Sequence, residues 1–554
     1  MPKRKTFDVC VIGTGAGGGV MLQELTRAGF DVVALERGPK LDTSQFMSDD
    51  ELSVVIRDEL FSQGQIETWQ PNSSTPAVAG RHNMIAYCVG GTITHWAGWS
   101  WRFRPDELKV RSTEGPVPGA SLADWPVDYA EMAPWYERAE WEFGVSGQGG
   151  SNPFEGPRQK GYPNPPHPPR AASLRLEDGA RKLGYAAFPV PMAINSQPYG
   201  GRPKCMHGGA CQQYGCPIHA KATTFSVCIP KAVATEKLDL RPNARAFEIA
   251  LGKDGRARSV RYLDGEGRER EVLAHQVVVA AGPIGTPHLL LSSKSGAFPQ
   301  GLANGSGLVG RNLMYHHFSI VHFTIDGPAR SFTGLEAHAA VDDLHPSDPK
   351  RGFIRGGVIA DGNPMIKQPL AYALWGLPGH PKIRRAWGAE LKQRLRDFPR
   401  TVPLVAVLED LPMEENRVEL DPAVKDAQRL PAPRIIHRQH PNDLAMNRWF
   451  AERLLEMADA AGAVEKWRAR TFALMDESSA MPGSAHLHGT CRMGDDPAKS
   501  VVDRWCRSHD VPNLWVVDCS VFPTSGGYNP TLTLLAMAYR VADHFVREAR
   551  RQNL

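Results

Sequence analysis

The first forty residues carry two kinds of apolar pattern, separated by glycines. Residues 7–12 form a largely apolar run, which is typical of a parallel strand buried on both faces. Residues 20–28 place apolar side chains at helical spacing and end at Gly29, and residues 31–36 predict a second strand. The pattern therefore predicts a strand–turn–helix–strand unit of about thirty residues.

The rest of the chain predicts further pieces of that domain and a second lobe. Strand or helix patterns recur at residues 171–185, 245–274, 276–280, 513–518 and 531–547. Residues 318–480 mix alternating segments with helices such as 445–461, which predicts a largely antiparallel sheet flanked by helices. Residues 151–170 are dense in Pro, Gly and Asn and predict a surface excursion. The fold class is α/β, or α+β overall.

Composition and charge exclude several classes of protein. The 554 residues carry a net charge of +4, without a basic patch of the kind that binds nucleic acid. No apolar run reaches the roughly 18 residues that span a bilayer, and the N-terminus has no cleavable signal pattern. The nine cysteines are an odd number in a chain without a signal, which argues against a disulfide framework.

The turn after the first strand reads Gly13-Thr14-Gly15-Ala16-Gly17-Gly18. In this context Gly13 permits a tight turn, Gly15 lets backbone approach a pyrophosphate, and Gly18 allows close helix–strand packing. Glu36, at the end of the second strand, is placed to accept a hydrogen bond from a ribose hydroxyl. The segment predicts dinucleotide binding without separating FAD from NAD.

Four segments together resemble the glucose-methanol-choline (GMC) family of FAD oxidoreductases. They are Gly90-Gly91-Thr92 followed by His95-Trp96, Ala281-Gly282-Pro283, the segment His486 to Gly494, and Asn529-Pro530-Thr531. The resemblance implies a Rossmann-like FAD domain assembled from residues 1–150, 200–317 and 481–554. It also implies a substrate-binding domain at 318–480, with 151–199 as the Pro/Gly-rich excursion. Gly91, Ala281 and Asp518 match cofactor-binding positions, although Asp518 could equally cap the end of its strand.

Two branches of the family are similar to this chain. The run from Gly90 to Trp96 and the segment at Asn529 resemble pyranose oxidases, in which the corresponding His is bonded covalently to the flavin. The stretch from Trp96 to Gly147 resembles the large flavoprotein subunits of bacterial gluconate, sorbitol and fructose dehydrogenases. His95 is thus a candidate attachment point for FAD; the alternative is a His that only packs on the cofactor.

A loop at 205–228 concentrates cysteines. Cys205, Cys211 and Cys216 lie at close spacing among glycines, and Cys228 follows twelve residues later. Such spacing suits an iron–sulfur cluster or zinc, and reduced structural thiols remain the third reading. Three cysteines would hold a 3Fe–4S cluster, and Cys228 could complete a 4Fe–4S cluster. Dehydrogenases that this chain resembles hold such a cluster here.

His486 and Asn529 are the candidate catalytic pair. A neutral imidazole can take a proton from an alcohol, and a carboxamide can hold the same oxygen. Taken alone, they could equally be a structural His and a turn residue before Pro530. The family's spacing selects His486 over His488, which is then structural. His486 would be the general base and Asn529 would orient the oxygen.

The sequence thus predicts an FAD-dependent dehydrogenase that oxidises a secondary or hemiacetal carbinol of a sugar, glycoside or polyol to a ketone or lactone. Its electrons would pass through the cluster to a cytochrome c or another carrier. The resemblance implies a small partner subunit whose export signal carries the chain to the periplasm; a cytoplasmic location is the alternative. The competing prediction is an oxygen-using pyranose or glycoside 2- or 3-oxidase without a metal cluster.

Overall fold

The computed structural model describes residues 5–553 except for 47–65, 81, 210, 363–368, 374–376, 378, 381–386 and 470–483. The predicted domain boundary near residue 480 lies outside the described residues. In chain order the strands are β1 (Thr6–Ile12), β2 (Val32–Leu35), β3 (Glu67–Gln70), β4 (Val78–Gly80), β5 (Ala187–Pro189), β6 (Leu238–Arg241), β7 (Arg245–Leu251), β8 (Ala257–Leu263), β9 (Glu269–Val279), β10 (Met314–Tyr315), β11 (His317–Thr324), β12 (Ala339–Val341), β13 (Gly357–Ala360), β14 (Thr401–Leu408), β15 (Arg417–Lys425), β16 (Pro431–Ile436), β17 (Glu465–Arg468), β18 (Leu487–His488) and β19 (Leu514–Val516).

Ten helices of the described residues are also given in chain order. They are α1 (Ala16–Arg27), α2 (Val110–Glu114), α3 (Tyr129–Phe143), α4 (Ala171–Lys182), α5 (Cys228–Val233), α6 (Gly282–Ser292), α7 (Pro369–Ala371), α8 (Gly388–Leu395), α9 (Pro441–Ala460) and α10 (Thr531–Arg550). None of the described helices is both long and apolar enough to cross a membrane.

The first sheet is built around β1. This strand pairs in parallel with β2, where Val9 faces Val32, and with β9, where Val9 faces Gln276. β6 and β19 extend the parallel part, while β7 and β8 form an antiparallel meander on β9. Strands covered on both faces bury nearly every side chain, which explains why the N-terminal pattern is a run rather than an alternation.

The second large sheet has six antiparallel strands in the order β17-β11-β14-β13-β12-β5. Its side chains alternate between two environments. Val402 and Leu404 of β14 pack with residues of α4 and α9, whereas Val405 and Val407 face a cavity toward the first sheet. β5, from within the predicted excursion, forms one edge of this sheet. The two sheets confirm the predicted fold class.

Two smaller sheets lie beside these. One has the strand order β15-β16-β3-β4, so strands that are far apart in the chain share this sheet. β10 pairs with β18, which brings the residues just before β11 next to the segment that carries His486. This short pairing joins the two large sheets at the candidate site.

A buried ion pair fastens the segment before α2 to α3. The guanidinium of Arg102 donates two hydrogen bonds of 2.7 Å to the carboxylate of Glu140, and both side chains are at most 1% exposed. Arg158 donates a further bond to Glu140 at 3.2 Å. Removing one partner of such a pair leaves an uncompensated buried charge. The pair therefore holds the position of the neighbouring residue, Trp101.

We expect Glu140→Gln to lower the free energy of unfolding by about 3 kcal/mol, because Arg102 keeps its charge in an apolar setting. Calorimetry should show the apparent melting temperature falling by several degrees. The matched control is Glu142→Gln on the same helix, whose partner Lys231 is half exposed. Equal melting temperatures for the two variants would contradict the expectation.

Candidate functional site

One large cavity lies between the first sheet and the six-stranded sheet. It collects most of the predicted site residues from segments far apart in the chain. Those that line it are Gly13, Gly15, Glu36, Gly91, His95, Ala281, His486, Asp518 and Asn529. Gly18 lies behind the lining, and among the described residues of the loop with Cys205, Cys211 and Cys216, Gln212 and Gln213 line the cavity.

The glycine turn at the end of β1 has the geometry of a phosphate cradle. Gly13 has φ +93°, and a Cβ there would stand 2.4 Å from the carbonyl oxygen of Ala280. A Cβ on Gly15 would meet only the Cα of Gly91, at 4.0 Å, so this backbone faces open space. A Cβ on Gly18 would lie 2.0 Å from the carbonyl oxygen of Gly13, which keeps α1 close to the turn. The turn thus presents bare backbone at a helix N-terminus, as a diphosphate requires.

Glu36 closes the turn as well as lining the cavity. Its Oε2 accepts hydrogen bonds from the N–H of Thr14 at 3.0 Å and from the Thr14 hydroxyl at 2.7 Å. Its Oε1 accepts from the N–H of Gly38 at 3.1 Å. Burial raises the pKa of this carboxyl, although the three bonds oppose the rise. The carboxylate therefore has a structural task in addition to the predicted ribose contact.

Asp518 lies in the cavity wall and caps the turn that follows its strand. Its Oδ1 accepts from the N–H of Ser520 at 2.8 Å and caps the 3₁₀ turn Cys519–Val521. Its Oδ2 accepts from the N–H of Gly282 at 3.0 Å and from the hydroxyl of Thr286 at 2.6 Å. The same carboxylate therefore joins β19 to the start of α6.

His95 ends the 3₁₀ turn Gly91–His95 and is buried at the cavity wall. Its carbonyl oxygen accepts from the N–H of Gln213 at 2.6 Å. The following residue, Trp96, donates its indole N–H to the carbonyl of Ala222 at 2.8 Å. The predicted attachment residue is thus held against the cysteine loop by backbone contacts.

His486 and Asn529 meet in the cavity. The Asn529 Nδ2 lies 3.2 Å from the His486 Nε2, and the Asn529 Oδ1 accepts from the indole N–H of Trp101 at 3.0 Å. An indole N–H only donates, so Oδ1 must face Trp101 and Nδ2 must face His486. Asn529 therefore donates to His486, whose Nε2 carries the lone pair.

Burial keeps this imidazole neutral. It lowers the pKa of His486 well below the usual value, and the nearby His316 lowers it further. His488, two residues on, lies outside the cavity lining and stacks on Phe522, with ring centroids 5.7 Å apart. Of the two histidines, only His486 faces a space that a substrate could enter.

Behind Asn529 lies a buried charged cluster that the sequence did not predict. Glu107 accepts from the N–H of Gly527 at 2.8 Å and lies 2.9 Å from the His345 Nε2. The His345 Nδ1 lies 2.9 Å from Asp342, which also accepts from the Tyr528 hydroxyl. Burial opposes a charge on His345, but the two carboxylates raise its pKa well above the usual value. The cluster holds the turn that carries Asn529.

The cysteine loop is fastened to the cavity by Lys221. This fully buried ammonium donates to the carbonyls of Trp96 at 2.7 Å, Cys211 at 2.5 Å and Tyr214 at 2.8 Å. Burial raises the pKa of the Cys205 thiol, and Cys216 lies near enough to raise it further. The loop and the segment of His95 are therefore parts of one unit.

Cys228 does not join the other three cysteines. Its thiol lies in the main apolar core beside the Tyr539 hydroxyl of α10, and burial raises its pKa above the usual range. The alternative in which Cys228 completes a 4Fe–4S cluster would require this thiol to leave the core. Among the described residues, the sets of three donor atoms within 4.8 Å of one another contain only histidines and carboxylates. Thiolates on one zinc ion would lie about 3.8 Å apart, so the described loop residues do not bring three donor atoms to zinc spacing.

Besides this charged cluster, sequence reasoning missed Trp101, Lys221 and His316. Trp101 lies inside the stretch from Trp96 to Gly147, whose resemblance assigns it no role, and Lys221 is a single lysine in a mixed segment. The adjacent pair His316-His317, directly before an alternating strand, was a signal that could have been followed. Its meaning depends on the pairing of β10 with β18, which joins residues about 170 positions apart.

Models of known families match two parts of the chain. The description "GMC oxidoreductase" applies to residues 124–318 and to residues 412–538. The chain belongs to the GMC oxidoreductase family. This confirms the predicted family and makes the protein an FAD-dependent oxidoreductase acting on CH–OH groups. The open backbone at Gly15 and the helix N-terminus behind it fit the diphosphate of that cofactor.

Relatives of this GMC oxidoreductase include oxidases and dehydrogenases. It is 33% identical to paromamine 6'-oxidase of Streptomyces fradiae, covering 97% of this chain and 91% of the relative. It is 32% identical to 2-methyl-1,2-propanediol dehydrogenase of Mycolicibacterium austroafricanum, covering 98% and 95%. It is 29% identical to the fructose dehydrogenase large subunit of Gluconobacter japonicus, covering 98% of each. Some relatives are therefore subunits of larger dehydrogenases.

We expect Gly15→Val to fold but to lose FAD from this GMC oxidoreductase. The added side chain has room, and it would occupy the space into which the backbone now opens. The FAD bound per protein, measured from the absorbance ratio, should fall at least about tenfold, because the diphosphate contact is lost. Gly296→Val, in an exposed loop with nothing near its Cβ, is the control. Full flavin content in Gly15→Val would show that the turn is not the cradle.

Proposed function

We propose that this GMC oxidoreductase is a dehydrogenase that oxidises a secondary or hemiacetal carbinol of a sugar, glycoside or polyol to a ketone or lactone. The observation that carries the proposal is the contact of 3.2 Å between His486 and Asn529 in the cavity that the glycine turn also lines.

The two side chains can divide the work on one hydroxyl group. The lone pair on the His486 Nε2 accepts the hydroxyl proton, and the amide N–H of Asn529 donates to the oxygen as negative charge develops there. The O–H bond breaks and an N–H bond forms, so the imidazole becomes an imidazolium. Bound FAD would supply the acceptor for the hydride that leaves the same carbon.

The substrate class rests on the relatives together with the predicted resemblance. One relative is named for fructose and another for position 6' of paromamine, while a third is named for a small diol. The shared chemistry is a polyhydroxylated or vicinal alcohol, and in the small diol only a primary carbinol can be oxidised. The choice of a secondary or hemiacetal carbinol therefore rests on the predicted resemblance. We therefore place sugars, glycosides and polyols first in a substrate screen, with 2-methyl-1,2-propanediol as the small comparison.

We propose further that electrons leave through an iron–sulfur cluster on Cys205, Cys211 and Cys216. Support comes from Lys221, which bonds both the loop and the carbonyl of Trp96 beside the cavity. When bound, such a cluster would supply a one-electron relay to an external carrier. Following the sequence resemblance, we propose a cytochrome c as the acceptor and a small partner subunit that carries the chain to the periplasm. The relative named as a fructose dehydrogenase large subunit supports an assembly of several subunits.

The second candidate is an oxygen-using pyranose or glycoside 2- or 3-oxidase without a metal cluster, which the similarity to paromamine 6'-oxidase favours. One sample separates the two candidates. Anaerobic reduction of the flavin over a panel of sugars, glycosides and polyols identifies the substrate, and elemental analysis counts iron per FAD. Peroxide formed in air supports the oxidase, whereas reduction of a dye or cytochrome c supports the dehydrogenase. A flavin that no alcohol reduces would defeat both.

His95 is proposed as the covalent attachment point of FAD, because its buried side chain lines the cavity at the end of the turn after Gly91. Acid precipitation of the holoenzyme distinguishes the two arrangements. A yellow pellet that His95→Ala abolishes supports the bond, and complete release of the flavin to the supernatant refutes it.

We expect His486→Ala to lower the rate of anaerobic flavin reduction at least about hundredfold, because general-base catalysis usually contributes that much. FAD should remain bound, since its cradle is untouched. The control is His275→Ala, which removes an exposed histidine from β9. Near wild-type reduction by His486→Ala would remove this residue from the mechanism.

The pH dependence should report the low pKa of His486. The base works only when neutral, so activity is lost as pH falls through the pKa that it has in the folded protein. Burial lowers that pKa well below the usual value of about 6.5. We therefore expect kcat/KM to stay level from neutral pH down through about 6.5 and to fall only in more acidic solution, with flavin content checked at each pH. A fall centred at or above about 6.5 would contradict the assignment.

A further inference from the structure

His316 lies between β10 and β11 at the back of His486. It is fully buried, and its Nδ1 is 3.0 Å from the His486 Nδ1. Its Nε2 is 3.2 Å from the carbonyl oxygen of Ser525. The backbone N–H of His316 also donates to the carbonyl of His486 at 3.3 Å. This bond continues the pairing of β10 with β18, which holds the two residues at this distance.

The carbonyl of Ser525 determines which nitrogen of His316 carries the proton. A carbonyl only accepts, so the Nε2 of His316 must donate. Burial lowers the pKa of His316 to about 4, so the ring is neutral and its Nδ1 holds a lone pair. That lone pair can be satisfied only if the His486 Nδ1 donates to it. The Nε2 of His486 is then the basic nitrogen, facing Asn529.

Ser525, whose carbonyl accepts from His316, is itself fixed in position by its hydroxyl group. The Ser525 hydroxyl donates to the carbonyl of Asp410 at 3.1 Å and accepts from the Asp410 N–H at 3.1 Å. The order of hydrogen bonds is therefore Ser525 to His316 to His486, and it ends at Asn529. Trp101 imposes the same order from the other end, because its N–H orients the Asn529 amide.

We infer that His316 is a positioning residue for the candidate base. It holds the His486 Nδ1–H, and so keeps the lone pair of His486 on the nitrogen that faces the substrate space. When the Nε2 takes the hydroxyl proton, the Nδ1–H stays in place and donates to His316, which stabilises the imidazolium without moving a second proton. This inference rests on the proposed function of His486.

Two substitutions of His316 test the roles of its two ring nitrogens separately. In His316→Asn, the side-chain oxygen can stand near the former Nδ1 and accept from His486. In His316→Gln, the amide reaches the former Nε2 and leaves the His486 Nδ1–H without its acceptor. Both variants are polar amides of similar size in the same buried site, so a purely structural role would make them behave alike.

The readout is the limiting rate of anaerobic flavin reduction and the substrate dissociation constant, with FAD content and melting temperature as controls. We expect His316→Gln to lose at least about tenfold in the limiting rate, because the Nδ1–H of His486 loses the acceptor that stabilises the imidazolium, with little change in the dissociation constant. His316→Asn should retain most of the rate. Equal rates for the two variants, or a loss confined to the dissociation constant, would overturn the inference.

A second measurement needs no substrate. Two-bond proton–nitrogen correlations of ¹⁵N-histidine-labelled protein distinguish the two neutral tautomers, and His486→Gln assigns the resonance. We expect His486 to carry its proton on Nδ1 in the wild type and in His316→Asn, and to show a smaller share of that tautomer in His316→Gln, where only the Asn529 amide still favours it. A wild-type His486 protonated on Nε2 overturns the inference even if alcohols reduce the flavin. If no alcohol does, the proposed function fails and this measurement alone decides the role of His316.

Discussion

The indole N–H of Trp101 can donate and cannot accept, and the orientation of the whole candidate site follows from that constraint. Its bond to the Asn529 Oδ1 turns the amide N–H toward His486. The carbonyl of Ser525 imposes the same order through His316. A hydrogen-bond chain with a donor-only group at one end and an acceptor-only group at the other has one arrangement of protons. The placement of the His486 lone pair on Nε2, the nitrogen that faces Asn529, is therefore a property of the fold.

Buried charge supports this arrangement from behind. The pair of Arg102 and Glu140 anchors the segment of Trp101, while Glu107 and His345 hold the turn before Asn529. Side chains that are both charged and buried tolerate little displacement, because each lost contact leaves a charge uncompensated. A pair of catalytic groups must keep its geometry within a fraction of an ångström, and this kind of support provides that stiffness.

The sequence predicted what depends on neighbours along the chain. The glycine turn between β1 and α1 and the alternation in β11 were predicted because backbone geometry and burial period are local properties. The site brings His486 and Asn529 together as expected from the family motifs, although the role of each stays a prediction. His316, Trp101 and Lys221 were missed because their partners come from other segments. Sequence spacing also does not show that α5 turns the thiol of Cys228, the candidate fourth ligand, into the main apolar core.

The ammonium of Lys221 has a consequence for how this protein holds together. It bonds the carbonyls of Trp96, Cys211 and Tyr214, so the wall of the cofactor cavity and the cysteine loop share one cation. Two sites that share a rigid element are thermodynamically linked, and the linkage is reciprocal. Whatever orders the loop also tightens the wall beside His95, and a ligand in the cavity stabilises the loop in return. Order in the loop and order in the cofactor cavity should therefore be gained or lost together.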